Sequence, residues 1–492
     1  MTSESGSKAP TEAEALVDEI VNSQHELFHD ERGHPMIARK TDQGRRVIPL
    51  DSKEFGSFLS QLSHTHFKKP VRSEVRSTVT SALSGIAMFE RPRIELSVRS
   101  AKHKGSFWLD LDGYKAIEVN NDGWKIHTEP PILFRHFRHQ KDLPIPERDG
   151  DIKKVLDYMN VKSEDHKLLL LTYLVAALVP DIPSNLLVIS GQQGTAKSTL
   201  LKVLKSLIDP SDLDLNISFS NREQMVLTAW QSRMLNLDNI SHVSRWLSDA
   251  LCCTVTGAAQ ATRSLYTNEE LNVLSVRRLV GITGINLVSD RPDVLERTTI
   301  IDLPPIDPGK RREEIEFWES FRKDRGFIFG GMLNVLQKAM TLKGDSDVRL
   351  KSPPRMIDFA NWCAAAGVAM GYELEEIQAA FDRNTAHQYH HALQSNLVAT
   401  AVVALLDEMK EDTWTGPSTT LFNMLNDVAK KYNYQTRAQE WPKSAEWLTR
   451  RINEVAPVLE SFGIKATPKR SSKCSIITLE KLKPEETPND EE

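Results

Sequence analysis

The stretch LLVISGQQGTAKSTLLKVL, Leu186 to Leu204, decides how the chain is read. Leu186–Ile189 is apolar without alternation, the pattern of a strand buried on both faces, and Lys197–Ile208 has the apolar spacing of a helix, closed by Asp209 and Pro210. Between them, GQQGTAKS follows the phosphate-binding pattern GxxxxGK[ST], except that Ala196 stands where the second glycine belongs. In such a loop consecutive backbone N–H groups and the next helix N-terminus face the phosphates. The lysine reaches the outer phosphates and the hydroxyl binds Mg2+. Gly191, Gln192, Gln193, Gly194, Thr195, Ala196, Lys197, Ser198 and Thr199 are therefore expected to hold ATP, with Ser198 on Mg2+. Alanine at 196 fits if that residue is already helical.

Further apolar strands follow at Arg233–Asp238, Arg277–Thr283 and Thr298–Pro304, alternating with helices, which indicates a parallel α/β sheet. Asp238 ends the first of them, in LNLDNIS, where a Walker B carboxylate holds Mg2+. Many relatives of this fold place a water-orienting glutamate beside that aspartate, whereas here the next residue is Asn239, so binding is better supported than fast hydrolysis. Thr283 or Asn286 is the candidate sensor of the γ-phosphate, and RPDVLER offers Arg291 and Arg297 as an arginine finger for a neighbouring subunit.

A chain of 492 residues exceeds one ordinary core, and its length suggests about three domains. The expected plan is a disordered tail over 1–12, an α+β domain over 13–146, a P-loop core over 151–306, a helical lid over 307–394, a winged-helix domain over 395–482 and an acidic tail over 483–492. In the first domain a helix at Ser73–Phe89 precedes short segments, IELSVRS, SFWLDL, KAIEV and WKIH, separated by turn signals. LPIPERDGD, Leu143–Asp151, reads as a linker.

Hydrophobic content of 40% and charged content of 26% describe a soluble globular protein, and a net charge of −5 gives no global attraction to nucleic acid or anionic membrane. Any DNA surface must be local. Four cysteines without a CxxC pair argue against a disulfide framework and a zinc-cysteine site, and a cytoplasmic setting is expected. LLLLTYLVAALV, Leu168–Val179, is shorter than the roughly 20 residues of a membrane span and reads as a buried helix.

GQQGTAKSTLLKVLKSLIDP, LDNISHVSRWLSDALC, TGAAQATRSLYTNEE and RPDVLERTTIIDLPPI together resemble the AAA+ ATPases of prophages and integrative elements, a group similar to superfamily 3 and poxvirus-type primase-helicases. The resemblance runs from Val161 to about Phe359. It implies a ring-forming ATPase, a homo-hexamer, acting on single-stranded or duplex DNA in mobile-element replication, with a primase or polymerase as a further partner. By that resemblance Lys197 and Ser198 bind ATP and Mg2+, Asp238 is Walker B, Thr283 the sensor and Arg297 the finger. Superfamily 3 helicases line a channel hairpin with Lys or His, whereas here its tip falls on Asn268, Glu269 and Glu270. Carboxylates repel phosphates, although Arg263, Arg277 and Arg278 flank the tip and are candidate DNA contacts.

Weaker signals remain. Asp110 and Asp112 in FWLDLD could chelate metals but more simply build the turn at Gly113. FRHFRHQK, Phe134–Lys141, mixes aromatic and basic residues as single-strand binders do, yet also suits an exposed strand. His387 and His391 sit one helical turn apart without an evident third ligand, which favours a solvated helix face. Lys469, Arg470 and Lys473, in the basic turn of the last module, are expected to touch DNA phosphates. Three functions compete: an ATP-driven DNA helicase, translocase or loader, a regulatory or defence ATPase that uses nucleotide only to assemble, and an initiator whose ATPase sets oligomeric state.

Overall fold

The computed structural model describes residues 10–482, apart from 217, 241–242, 264–270, 285–291, 345, 410, 437–440 and 471–474. Helix α1 (Glu12–Asn22) starts at a capping box, in which Thr11 Oγ1 accepts the Glu14 N–H and the Glu14 carboxylate accepts the Thr11 N–H. It packs with α2 (Lys53–Phe67) and α3 (Ser73–Phe89) on an antiparallel sheet of β1 (Glu26–His29), β2 (Pro35–Thr41) and β3 (Gly44–Pro49), around Leu16, Ile37, Ile48, Phe55, Leu59 and Leu83. A second antiparallel sheet follows, of β4 (Ser100–His103), β5 (Ser106–Asp110), β6 (Ala116–Asn120) and β7 (Gly123–His127), with its turns between the segments SFWLDL, KAIEV and WKIH as expected. IELSVRS does not form its strand. Arg99 adopts a left-handed φ of 64°, and β4 begins only after it.

Helix α4 (Glu164–Ala176) has buried side chains on every side, as the apolar run requires. Next come β8 (Leu186–Ser190), α5 (Lys197–Ile208), α6 (Arg222–Trp230), β9 (Met234–Leu237), α7 (Arg245–Thr256), β10 (Ala259–Arg263), β11 (Leu271–Ser275), β12 (Leu279–Gly284), α8 (Pro292–Leu295) and β13 (Thr298–Asp302). Strands β8, β9, β12 and β13 make a parallel sheet in the order β13-β8-β12-β9. All of β8 is buried because it lies between two neighbours with helices on both faces. Strands β10 and β11 pair as a hairpin whose tip, with Asn268, Glu269 and Glu270, lies outside the described residues.

Helices α9 (Glu314–Leu342), α10 (Ile357–Ala369) and α11 (Leu374–Ser395) complete the central body, and α9 and α10 share one core with α4, α5 and the β5–β7 sheet. Leu143–Asp151 is not a free tether. The Glu147 N–H donates to Gly326 O at 3.1 Å, and a Cβ at Gly330 would come within 1.8 Å of Glu147 O, so the glycines of α9 admit this strap. The last unit comprises α12 (Leu397–Met409), β14 (Thr413–Pro417), α13 (Ser418–Lys431), α14 (Ala445–Ser461), β15 (Ile464–Arg470) and β16 (Ser475–Lys481). Its antiparallel sheet has the order β14-β16-β15 and covers a core of its own, including Leu406, Leu421, Leu448, Ile452 and Leu479. Among the described residues no helix is long and apolar enough to cross a membrane.

One buried charge cluster joins the β4–β7 sheet to the parallel sheet. Asp209 accepts from Arg99 Nε at 3.1 Å, Lys205 Nζ at 3.4 Å and the backbone N–H groups of Arg233 and Met234 at 2.8 and 3.1 Å. Burial alone would raise its carboxyl, but Lys205, Arg99 and these hydrogen bonds hold it well below the usual carboxylate range. Asp209→Asn leaves two buried cations without their anion and is expected to cost about 3 kcal/mol of stability, read as a lower denaturant midpoint. An unchanged midpoint would mean the cations find other acceptors.

Candidate functional site

Strand β8 delivers the chain to the glycine loop at the carboxyl end of the parallel sheet. Gly191 has φ 151°, and a Cβ there would meet Leu303 O at 2.7 Å and Thr195 Oγ1 at 2.8 Å, so only glycine fits. Gly194 has φ 78°. Ala196 is not helical, so the condition under which alanine fits there without cost is not met. It is the N-cap of α5 with φ 68° and ψ 30°, the left-handed region that glycine would occupy freely. Placing an L-residue there costs roughly 1–2 kcal/mol. Ala196→Gly is therefore expected to raise unfolding stability by about 1 kcal/mol, net of glycine's added unfolded-state entropy. A loss of stability on denaturant titration would contradict that strain.

The first turn of α5 leaves backbone N–H groups without intrahelical acceptors, at the positive end of the helix dipole. Lys197 Nζ donates to Gly191 O at 2.8 Å and Gln192 O at 2.7 Å, holding the ammonium over the loop, and burial pushes its pKa down. Gln192, Gln193 and Gly194 are exposed, whereas Thr195 is buried and its hydroxyl donates to Gln192 O at 3.0 Å. Asn160, which the sequence reading missed, supports the loop from behind. Its Nδ2 donates to Thr195 O at 3.2 Å and Pro304 O at 2.6 Å. No motif surrounds Asn160, so nothing in the sequence marks it.

Asp238 follows β9, next to β12, which runs beside β8. Its Oδ1 accepts from Ser198 Oγ at 2.7 Å and from Thr283 Oγ1 at 2.5 Å. Thr283 in turn accepts the Asn239 N–H at 2.8 Å, which holds Asn239 in the left-handed region at φ 55° with its side chain exposed. Three residues from three elements thus meet at the N-terminus of α5. Hydroxyl and carboxylate oxygens are the donors Mg2+ prefers, and the adjoining N–H groups suit phosphate oxygens, so the residues fit a Mg2+-nucleotide.

Arg297 lies at the other end of the sheet. Thr298 is in register with Leu186, so about four residues of strand, roughly 13 Å or more, separate it from the loop of its own chain. Its backbone carbonyl accepts the Leu186 N–H, and its Nη1 donates to Asp293 O. Asn286 and Arg291 lie outside the described residues.

The DNA candidates divide. The guanidinium groups of Arg277 and Arg278 are engaged by carbonyls of the chain. Arg277 donates to Thr256 O and Asp181 O, and Arg278 to the carbonyls of Ala229 (2.9 Å), Trp230 (3.3 Å) and Arg277 (2.9 Å). Burial brings the Arg278 pKa down to about 10. Arg263 ends β10 and Arg470 ends β15, Lys469 is exposed on β15, and Lys473 lies outside the described residues. FRHFRHQK is a loop directed mainly inward. Arg135 Nη2 bonds Asp30 and Glu31, each at 2.8 Å, and its guanidinium lies 4.9 Å from the Trp230 ring. Asp110 and Asp112 build the turn as expected, accepting backbone N–H groups from Gly113, Tyr114 and Lys115.

His387 and His391 do not face solvent as a bare helix pair. Both turn toward Asp302, the last residue of β13, which pairs with Ser190 immediately before the glycine loop. Burial raises the Asp302 carboxyl, but the His387 hydrogen bond and the three neighbouring rings, His387, His391 and His166, bring it below its ordinary value. The third group comes from 85 positions earlier in the chain, so helical spacing could not reveal it.

A glycine loop opening a helix beside an aspartate-ended parallel strand suits a nucleotide, and the family comparison supplies the setting of this chain: replication of mobile DNA. Residues 152–385 match the model of the actinomycete integrative conjugative element replication protein, and residues 398–489 match the model of the RepA C-terminal domain of those elements. With the two parts matched in order along one chain, this is a replication protein of integrative conjugative elements. No curated protein sequence matches it. Among solved structures, the A form apo structure of the NrS-1 C-terminal region aligns at 14% identity and a TM-score of 0.42, over 96% of this chain and 99% of that one. Another apo structure of that region aligns at 12% identity and a TM-score of 0.43, over 96% and 100%.

Proposed function

We propose that this replication protein is an ATP-driven DNA helicase, translocase or loader that works as a ring and hydrolyses ATP between subunits. The observation that carries the proposal is the meeting of Ser198, Asp238 and Thr283 at the loop that Lys197 spans. Lys197 and the N-terminus of α5 receive the β- and γ-phosphates, Ser198 and Asp238 hold Mg2+, and Thr283 positions Asp238. The strand order β13-β8-β12-β9, with the phosphate loop after an interior strand, supports an AAA+ core. Three helices around the sheet β14-β16-β15 support a winged helix that takes duplex DNA at Lys469, Arg470 and Lys473. The family role supports DNA as the partner, and Arg297, distant from its own loop, suits a finger offered to the next subunit of a homo-hexamer.

One observation favours a second reading, in which nucleotide drives assembly alone. Asn239 brings no carboxylate to the point where water would be activated, and its side chain is exposed. Strand separation on a forked DNA decides between them. The motor reading expects unwinding by the wild type with ATP and none by Lys197→Ala. A wild type that binds the fork and ATP yet separates no strands, and whose ATP hydrolysis is indifferent to DNA, leaves the assembly reading.

A further inference from the structure

Asn384, His387, Gln388 and His391 recur at the spacing of one face of α11, and that face lies along β13, the edge strand of the parallel sheet. Asn384 pairs with both backbone groups of Ile300, accepting its N–H at 3.1 Å and donating to its carbonyl at 2.6 Å, while Gln388 donates to Thr298 O at 2.5 Å. These bonds fix the register of the helix on the strand. They also set both histidines opposite the end of β13.

There, His387 Nε2 lies 3.1 Å from His391 Nε2 and 3.0 Å from Asp302 Oδ2, and His391 Nε2 lies 4.0 Å from the same carboxylate oxygen. Protons satisfy this triangle poorly. An imidazole nitrogen presents either one N–H or one lone pair. If His387 Nε2 is protonated, its single hydrogen must choose between the carboxylate and His391. If it is unprotonated, its lone pair faces a carboxylate at 3.0 Å. A cation inside the triangle attracts all three atoms. Zinc bonds of about 2.0–2.1 Å at tetrahedral angles place neighbouring ligand atoms about 3.3 Å apart, close to two of the three edges and reachable for the third by a small rotation of the His391 side chain.

We propose that Asp302, His387 and His391 form a binding site for a zinc-class divalent transition-metal ion, which fastens α11 to the end of β13 beside the glycine loop. Two imidazoles and one carboxylate suit zinc, cobalt or nickel better than magnesium or calcium, which prefer oxygen alone. The three side chains are about a third exposed, at 32%, 28% and 37% for His387, His391 and Asp302. A pocket of about 210 Å3, lined by Asp165, His166, Arg383, Asn384 and His387 among others, opens beside them, so an ion can enter and a water can complete its shell. Behind the carboxylate, the Asp302 N–H donates to His166 Nδ1 at 3.4 Å. This site is distinct from the Mg2+ position at Ser198 and Asp238.

The test uses full-length protein without a histidine tag and without nucleotide, so it does not depend on the phosphate loop. Chelator-stripped protein is dialysed against Zn2+, then against metal-free buffer, and bound zinc is measured by mass spectrometry. Wild type should retain one ion per chain and His387→Gln/His391→Gln none. Asp302→Asn, which keeps the shape of the side chain, guards against a double variant that fails to fold and should weaken zinc affinity at least tenfold. Cobalt should give the intense absorption of a four-coordinate ion in wild type only. No zinc on the wild type, or equal zinc on wild type and either variant, overturns the proposal.

Discussion

Lys197→Ala is expected to abolish ATP binding. The lysine's ammonium rests on the Gly191 and Gln192 carbonyls, so removing it leaves the turn, the Gly191 contact with Leu303 and the cap of α5 in place. What disappears is the loop's one cation for the outer phosphates. Charge-assisted hydrogen bonds of this kind contribute about 1.5–3 kcal/mol each, so losing two amounts to roughly a hundredfold or more in affinity. Calorimetric titration of Mg2+-ATP measures it directly, and circular dichroism checks that the fold persists. Affinity equal to wild type would remove the phosphate-loop assignment, however well the loop matches its pattern.

Arg297→Ala is expected to leave ATP binding nearly intact and to lower hydrolysis by ~10³-fold or more, the usual cost of removing an arginine finger. Arg297 is separated from its own loop by most of the length of β13, which pairs alongside β8. As a finger it would therefore act on a neighbour's γ-phosphate rather than on that of its own loop. Mixing Arg297→Ala with Lys197→Ala should restore part of the activity, since some interfaces then pair an intact loop with an intact finger. If the mixture remains as inactive as its parts while both assemble together, Arg297 is not the finger or the sites are not shared.

The strand, glycine loop and helix were legible because their parts are contiguous. Apolar strand, glycines, lysine and helix occupy one short stretch, and α5 spans Lys197–Ile208 as the periodicity indicates. Asp238 and Thr283 were legible as polar residues at the ends of apolar strands, and the register of β12 with β8 and β9 brings them together. What depends on separation was not legible. Asn160 and Asp302 gain their roles from contacts across the fold, and Arg277 and Arg278 look like surface charges until carbonyls of α6 and α7 enclose them. The β1–β3 sheet was also missed, because its segments are short and rich in charge, as in ARKTDQGRRV, and their pairing is settled by the helices that cover them. Ala196 shows the limit of local preference. Alanine favours helix, yet the turn before α5 imposes a left-handed backbone at that position.

The most direct test of an ATP-driven role on DNA is the rate of phosphate release from Mg2+-ATP by the full-length protein, measured without DNA and with saturating single-stranded or duplex DNA. Turnover that rises at least severalfold with DNA and vanishes in Lys197→Ala is the expected result. Turnover indifferent to DNA, or equal in wild type and Lys197→Ala, would contradict it.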